Sequence, residues 1–278
     1  MSALFAAFVL GMVEGLTEYL PVSSTGHLIL AGWLLRFDHL VGKDVAQMFE
    51  IFIQLGAILA VVAAYPRRFV GLWPRRQATG FAGPRGLALL VLATLPAALV
   101  GLAFHKRIKA ELFHPLMVAA GLAAGALWIL LLEAWKARRK SPWRCDAVDA
   151  LRWSDALAIG LFQCLALWPG MSRSSSTILG AMMIGVERKA ATEFSFFAAV
   201  PLLGAAAIFD LLKSLPLLRA EHVPLLAVGL GVSGAVAFLA VKLFMRFLSR
   251  HTLVAFGWYR LAVAAVVAAA WWGLRPAA

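Results

Sequence analysis

Two polar, turn-forming stretches interrupt sequence that is otherwise apolar enough to lie in a lipid bilayer. They constrain this chain more than any other feature. The first reads Glu14-Gly15-Leu16-Thr17-Glu18-Tyr19-Leu20-Pro21-Val22-Ser23-Ser24-Thr25-Gly26-His27, and the second Pro169-Gly170-Met171-Ser172-Arg173-Ser174-Ser175-Ser176-Thr177. Hydrocarbon neither satisfies a broken backbone nor solvates a carboxylate or guanidinium. Such stretches persist there only where protein buries them or where they line a watery cavity. Together they supply two carboxylates, an imidazole, an arginine and a run of hydroxyls, the equipment of a phosphate site.

The flanking sequence is what makes the bilayer the reference. With 62% apolar and 14% charged residues and a mean hydropathy of +0.85, the chain is too apolar for an ordinary soluble domain and reads as an all-α polytopic membrane protein. Six stretches are long enough to cross at about 20 residues each: 45–65, 87–105, 115–135, 191–213, 223–245 and 253–274. The formal charge of +12 does not imply nucleic acid, because the basic residues gather in loops between these spans. Arg67, Arg68, Arg75, Arg76 and Arg85 lie in one loop and Lys136, Arg138, Arg139, Lys140, Arg144 and Arg152 in another. The positive-inside rule makes both cytoplasmic, and Arg188 with Lys189 and Arg246 with Arg250 then fall inside as well. Lys106, Arg107, Lys109, Arg219 and Arg275 fall on the opposite face. Cys145 and Cys164 imply no disulfide framework. The N-terminus lacks the marks of a cleaved signal peptide.

That orientation leaves each polar stretch in a broken hairpin that re-enters on the side it came from, the first over 1–43 and the second over 155–186. Three spans follow each hairpin. The expected architecture is a single membrane domain over 1–278: six transmembrane helices plus two re-entrant broken-helix hairpins in an inverted-topology repeat. The first repeat covers about 1–135, a basic linker about 136–154 and the second repeat about 155–278. Discontinuous helices meeting near the midplane of such a repeat are a common way to build a binding site. The spans that follow the hairpins each carry an acidic residue near their start, Glu50 or Glu193, and a glycine further on, Gly56 or Gly204.

Glu14 and Glu18 stand four apart and share one face of a helix, where they are candidates to hold a divalent cation or to provide a general base. Glu50 and Gln54 repeat that spacing inside a span and are secondary candidates. Glu193 reads as a residue of the cytoplasmic edge. In the second stretch Pro169 and Gly170 break the incoming helix, so that backbone N–H groups and the N-terminus of a helix starting near Ser174 cradle an anion. Arg173 adds a planar fork for phosphate oxygens, with Ser172, Ser174 and Thr177 around it. Ser23, Ser24, Thr25 and His27 complete the set, a hydroxyl there being a candidate nucleophile activated by Glu18 or His27.

At these residues the sequence resembles the undecaprenyl-diphosphate phosphatase family of bacteria, the bacitracin-resistance type. The resemblance rests on 14–27, on Pro-Gly-x-Ser-Arg-Ser-x-x-Thr at 169–177, on Phe49-Glu50 with Gln54-Leu55-Gly56, on Phe162-Gln163-Cys164-Leu165-Ala166-Leu167-Trp168, and on Glu193-Phe194-Ser195-Phe196. It implies a multi-pass enzyme of the bacterial inner membrane that converts undecaprenyl diphosphate to undecaprenyl phosphate and inorganic phosphate. That reaction recycles the lipid carrier for cell-wall synthesis. The resemblance also implies a site open to the periplasmic face, and resistance to bacitracin, which competes for the lipid substrate. The separate lipid-phosphatase superfamily carries a nucleophilic histidine in Ser-Arg-x5-His-x3-Asp, and no such His and Asp follow Ser172-Arg173 here.

A lipid diphosphate brings more negative charge than Arg173 and partial N–H charges balance, so a divalent cation, Mg2+ or Ca2+, at Glu14 and Glu18 is expected. Ser24 is the preferred nucleophile, with His27 or water as alternatives. The rival function is a carrier for undecaprenyl phosphate, and a homodimer is a further expectation.

Overall fold

The computed structural model describes residues 2–73, 79–112, 114–139 and 142–273. Arg75, Arg76, Lys140 and Arg275, placed above by charge alone, lie outside them, as does Leu274 at the end of the last span. Twelve α-helices occur among the described residues: α1 (Ala3–Thr17), α2 (Ser24–Leu34), α3 (Phe37–Val41), α4 (Lys43–Ala64), α5 (Pro66–Gly71), α6 (Gly83–Leu112), α7 (Pro115–Arg139), α8 (Trp153–Gln163), α9 (Arg173–Met183), α10 (Arg188–Ser214), α11 (Val223–Leu248) and α12 (Val254–Gly273). Six are long and apolar enough to span a membrane, within Lys43–Ala64, Gly83–Phe104, Pro115–Arg139, Arg188–Ser214, Ala220–Leu248 and Val254–Trp271. These are the six expected spans, and the protein is an all-α, multi-pass membrane protein. Side chains such as Leu99, Leu131, Leu239 and Leu243 point outward into what would be lipid.

The polar stretches fall between short helices. α1 has 15 residues, while α2, α8 and α9 have 11 each. At 1.5 Å per residue an 11-residue helix covers about 16 Å, roughly half of the hydrocarbon thickness. The strand-like segment entering α8 is tied to the chain leaving α9: the Arg144 N–H donates to Gly185 O (2.9 Å) and the Glu187 N–H to Cys145 O (2.7 Å). At the other hairpin, Ala6, Ala7 and Leu10 of α1 cluster with Phe37, Met48, Phe49 and Leu225.

Small residues let the hairpins press close to the long helices. A Cβ on Gly15 of α1 would stand 2.5 Å from Ser233 O of α11, and one on Gly160 of α8 would stand 2.7 Å from Leu92 O of α6. Such backbone approaches are how membrane helices gain packing without a hydrophobic driving force. The pairings run in parallel: α1 lies on α11 and α8 on α6, while α4 meets α10 and α7 meets α12. The two glycines matched above differ, however. Gly56 packs against the backbone of α11 at Leu230 and Gly234, whereas Gly204 faces open space.

At the basic end, Arg68 pairs with Asp149 (2.8 Å) and Glu193 (3.4 Å), Arg144 with Asp155 (2.7 Å), and Arg188 with Glu133 (2.6 Å). Glu193 therefore serves that end and not the polar stretches. Both cysteines are free.

Candidate active site

The two breaks share one backbone device. Ser23 caps α2 at φ 73° and accepts from the Gly26 N–H, and Ser172 caps α9 at φ 72° and accepts from the Ser175 N–H. A non-glycine residue at such φ is strained and persists only where its surroundings over-determine it. Gly170, at φ 93°, is required twice over, because a Cβ there would also run into Val118 O of α7. Past each capping serine, the N–H groups of Ser24 and Thr25, and of Arg173 and Ser174, meet no acceptor among the described residues. Two helix N-termini thus offer unfilled donors, the arrangement that holds anions.

Glu18 joins the breaks. One carboxylate oxygen accepts from Ser24 Oγ (2.6 Å) and the other pairs with Arg173 Nη2 (3.0 Å), across 155 residues of sequence. Arg173 Nη1 also donates to Ser195 O (3.0 Å) and Ser195 Oγ (3.2 Å), its guanidinium lies 5.5 Å from the centre of the Tyr19 ring, and its Nε has no partner. Thr177 Oγ1 bonds Ser195 Oγ (2.6 Å), and Ser174 Oγ donates to Leu20 O (2.8 Å) in the opposite break. The sequence-derived residues Glu18, Ser23, Ser24, Gly170, Ser172, Arg173, Ser174 and Thr177 are therefore brought together, with Thr25 exposed at their edge.

His27 is held elsewhere. Its Nδ1 lies 2.7 Å from Ser23 O and its Nε2 2.7 Å from Tyr259 Oη, with the two rings stacked at 5.6 Å. A carbonyl only accepts, so Nδ1 carries a proton and Nε2 of the neutral ring accepts from Tyr259. Ser24 is thus bonded to Glu18 and not to His27. Glu14 is wholly buried, and neither of its carboxylate oxygens has a hydrogen-bond partner. Glu50 comes near Gly32 of α2, while Gln54 makes no side-chain hydrogen bond among the described residues.

Three participants were not singled out from sequence. Ser195 lay in a matched motif, but nothing local linked it to Arg173. Tyr259 and Arg260 had a signal in hindsight, because a lone arginine within an apolar span marks a functional position. Arg260 is fully buried and donates to Pro21 O (3.2 Å), Leu122 O (3.3 Å), Gly121 O (3.3 Å), Gly170 O (2.9 Å) and Met171 O (3.0 Å).

A hydroxyl on a carboxylate, faced by an arginine and two sets of free N–H donors deep among membrane helices, suits a membrane-embedded enzyme of phosphorylated headgroups. The sequence comparison narrows that class. The chain belongs to the family described as bacitracin resistance protein BacA, whose model matches residues 7–266. It is 51% identical over 267 residues to an undecaprenyl-diphosphatase of Nitratidesulfovibrio vulgaris, covering 96% of this chain and 98% of that one. It is also 47% identical over 270 residues to undecaprenyl-diphosphatase 1 of Chromobacterium violaceum, covering 97% of each. Undecaprenyl-diphosphatase 2 of Rhodospirillum rubrum is 49% identical over 276 residues, covering 98% of this chain and 96% of that one.

Proposed function

We propose that this protein hydrolyses undecaprenyl diphosphate to undecaprenyl phosphate and inorganic phosphate, recycling the lipid carrier of cell-wall synthesis and conferring bacitracin resistance. The observation that carries this reading is Glu18, which holds Ser24 with one oxygen and Arg173 with the other. A hydroxyl hydrogen-bonded to a carboxylate is a nucleophile–base pair, which a carrier for undecaprenyl phosphate would not need.

In the mechanism, Ser24 Oγ attacks the terminal phosphorus while its proton passes to Glu18. The bond from that phosphorus to the bridging oxygen breaks, and undecaprenyl phosphate leaves with the bond's electron pair. Water then cleaves the phosphoseryl intermediate and releases inorganic phosphate. Because the leaving group is itself a phosphate, charge neutralisation and in-line placement carry more weight than general-acid help. The free N–H groups of both helix N-termini and the unpartnered Nε of Arg173 supply donors to the non-bridging oxygens.

A diphosphate brings about two to three negative charges, next to a Glu18 that Arg173 already neutralises. Among the described residues no three His, Cys, Asp or Glu side chains gather as a ready metal site. The unpartnered, buried Glu14 carboxylate nevertheless offers the hard oxygen ligands that a divalent cation would take. Held by Glu14 and Glu18, Mg2+ or Ca2+ would neutralise charge that builds on the phosphates.

The parallel capping geometry of Ser23 and Ser172, and the matched pairings of α1 with α11 and α8 with α6, support two re-entrant hairpins in an inverted repeat. With the arginine-rich end inside the cell, the site opens to the periplasmic side of the inner membrane.

The test is phosphate release from the purified full chain in detergent, given the C55 lipid diphosphate and no membrane gradient. Turnover that Ser24→Ala abolishes is the expected result. Activity lost in EDTA and restored by Mg2+ or Ca2+ supports the cation, whereas full activity in metal-free buffer removes the cation and leaves the hydrolase. Absence of release under every metal condition overturns the reading.

A further inference from the structure

Arg260 brings a charge into the fully buried centre of the protein and meets no carboxylate there among the described residues. Its partners are main-chain carbonyls alone, from both breaks and from α7. Gly121 and Leu122 lie inside α7, but Pro21 O, Gly170 O and Met171 O belong to the breaks and accept no other hydrogen bond among the described residues. Leaving them unsatisfied in an apolar interior would be costly. Guanidinium is the side-chain group with enough donors, in a fixed fan, to reach them together. α7 makes room for it: a Cβ on Gly125 would collide with the guanidinium.

The placement of these bonds matters more than their number. Pro21 lies two residues before the capping Ser23, and Met171 one residue before the capping Ser172. In a trans peptide the carbonyl and the following N–H point opposite ways. Drawing Met171 O onto Arg260 therefore turns the Ser172 N–H away from Arg260, and drawing Pro21 O onto it holds the Pro21–Val22 peptide, one before the peptide that leads into Ser23. Arg260 grips the backbone just upstream of both helix N-termini.

Resting on the phosphate reading of the site, we infer that Arg260 is a positioning residue for both breaks. It holds the N-termini of α2 and α9 in register so that Ser24 and Arg173 address one headgroup, and it does so without touching that headgroup. Its charge, paired with no carboxylate among the described residues, also lies beside both breaks, where it favours an anion.

Arg260→Lys keeps the charge but has too few donors to hold the carbonyls of both breaks. The expected result is a fall in kcat of about tenfold or more, as for misplacement of groups near the chemistry, together with a several-fold rise in KM. The split is diagnostic, because partial unfolding scales the amount of active enzyme and leaves KM unchanged. If Arg260→Lys does not fold, Gly125→Ala displaces the guanidinium and should produce the same pair of changes. A folded variant of either kind with wild-type KM overturns the inference. Inactivity of the wild type would instead overturn the phosphatase reading. Pyrophosphate binding is then the probe: protection of amides in both breaks from hydrogen exchange in the wild type, lost from both in Arg260→Lys, is expected. Unchanged protection, or none in the wild type, counts against the inference.

Discussion

At the scale of single residues, Arg173 points in three directions at once: it neutralises Glu18, braces Ser195 and keeps a buried Nε that has no partner. A lysine at that position has one nitrogen for three directions. Arg173→Lys should lower kcat/KM by about 10²-fold, the scale for loss of a preorganised charge-stabilising donor, as measured by steady-state phosphate release. Tyr259→Phe deletes only the hydroxyl that donates to His27 Nε2. With Ser24 bonded to Glu18, turnover should fall far less in Tyr259→Phe than in Ser24→Ala. Equal losses would put His27 in the chemistry. The residue types of the site were legible in sequence because carboxylates, hydroxyls and an arginine are conspicuous in apolar surroundings. Their connections were not. The sequence left Glu18 and His27 as equal candidates to activate Ser24, since both lie within a turn or two of it; the Ser24–Glu18 hydrogen bond, with the His27 ring turned to Tyr259, separates them. Arg260 stands out in sequence as a lone arginine in an apolar span, but its partners are main-chain carbonyls, which leave no sequence pattern.

At the scale of elements, the hairpins depend on how closely helix backbones approach. Gly15 of α1 touches the backbone of α11 at Ser233 and Ala237, whereas Gly204 of α10 has nothing near it. Gly204→Ala should be neutral or stabilise by up to about 1 kcal/mol through helix propensity. Gly15→Ala should destabilise by about 1–3 kcal/mol, the cost of overpacking. Thermal unfolding in detergent distinguishes the two, and equal melting temperatures would mean that the α1–α11 crossing is not a tight one. The spans themselves were readable from hydropathy to within a few residues, since a bilayer demands long apolar helices. Which glycines make close crossings was not readable. Gly56 and Gly204 look alike in sequence, and their difference arises from which helix happens to lie opposite.

At the scale of the whole molecule, the segment between α7 and α8 is pinned through Asp149, which accepts from Arg68 Nη1 (2.8 Å) and from the Phe81 N–H (2.9 Å). Partial burial alone would raise the Asp149 pKa, but the Phe81 N–H and the Arg68 guanidinium outweigh it and hold the carboxyl below its ordinary value. A carboxyl depressed in the folded state contributes stability that is present above its unfolded pKa and is lost as pH falls through the folded one. The stability difference between wild type and Asp149→Asn should therefore be steady near neutrality and begin to fall below about pH 4, disappearing only as pH drops past the depressed folded value, as followed by unfolding across that range. Glu18 and Arg173, 155 residues apart in sequence, join the two polar stretches, and the proposed mechanism requires those stretches to act as one catalytic unit. A double-mutant cycle on kcat/KM tests it most directly, using Glu18→Gln, Arg173→Lys and both together, with the C55 lipid diphosphate as substrate. Partners in one catalytic unit are strongly non-additive, so the double variant should be little worse than the poorer single one. Losses that simply multiply would show that the two stretches act independently, and the composite site would not stand.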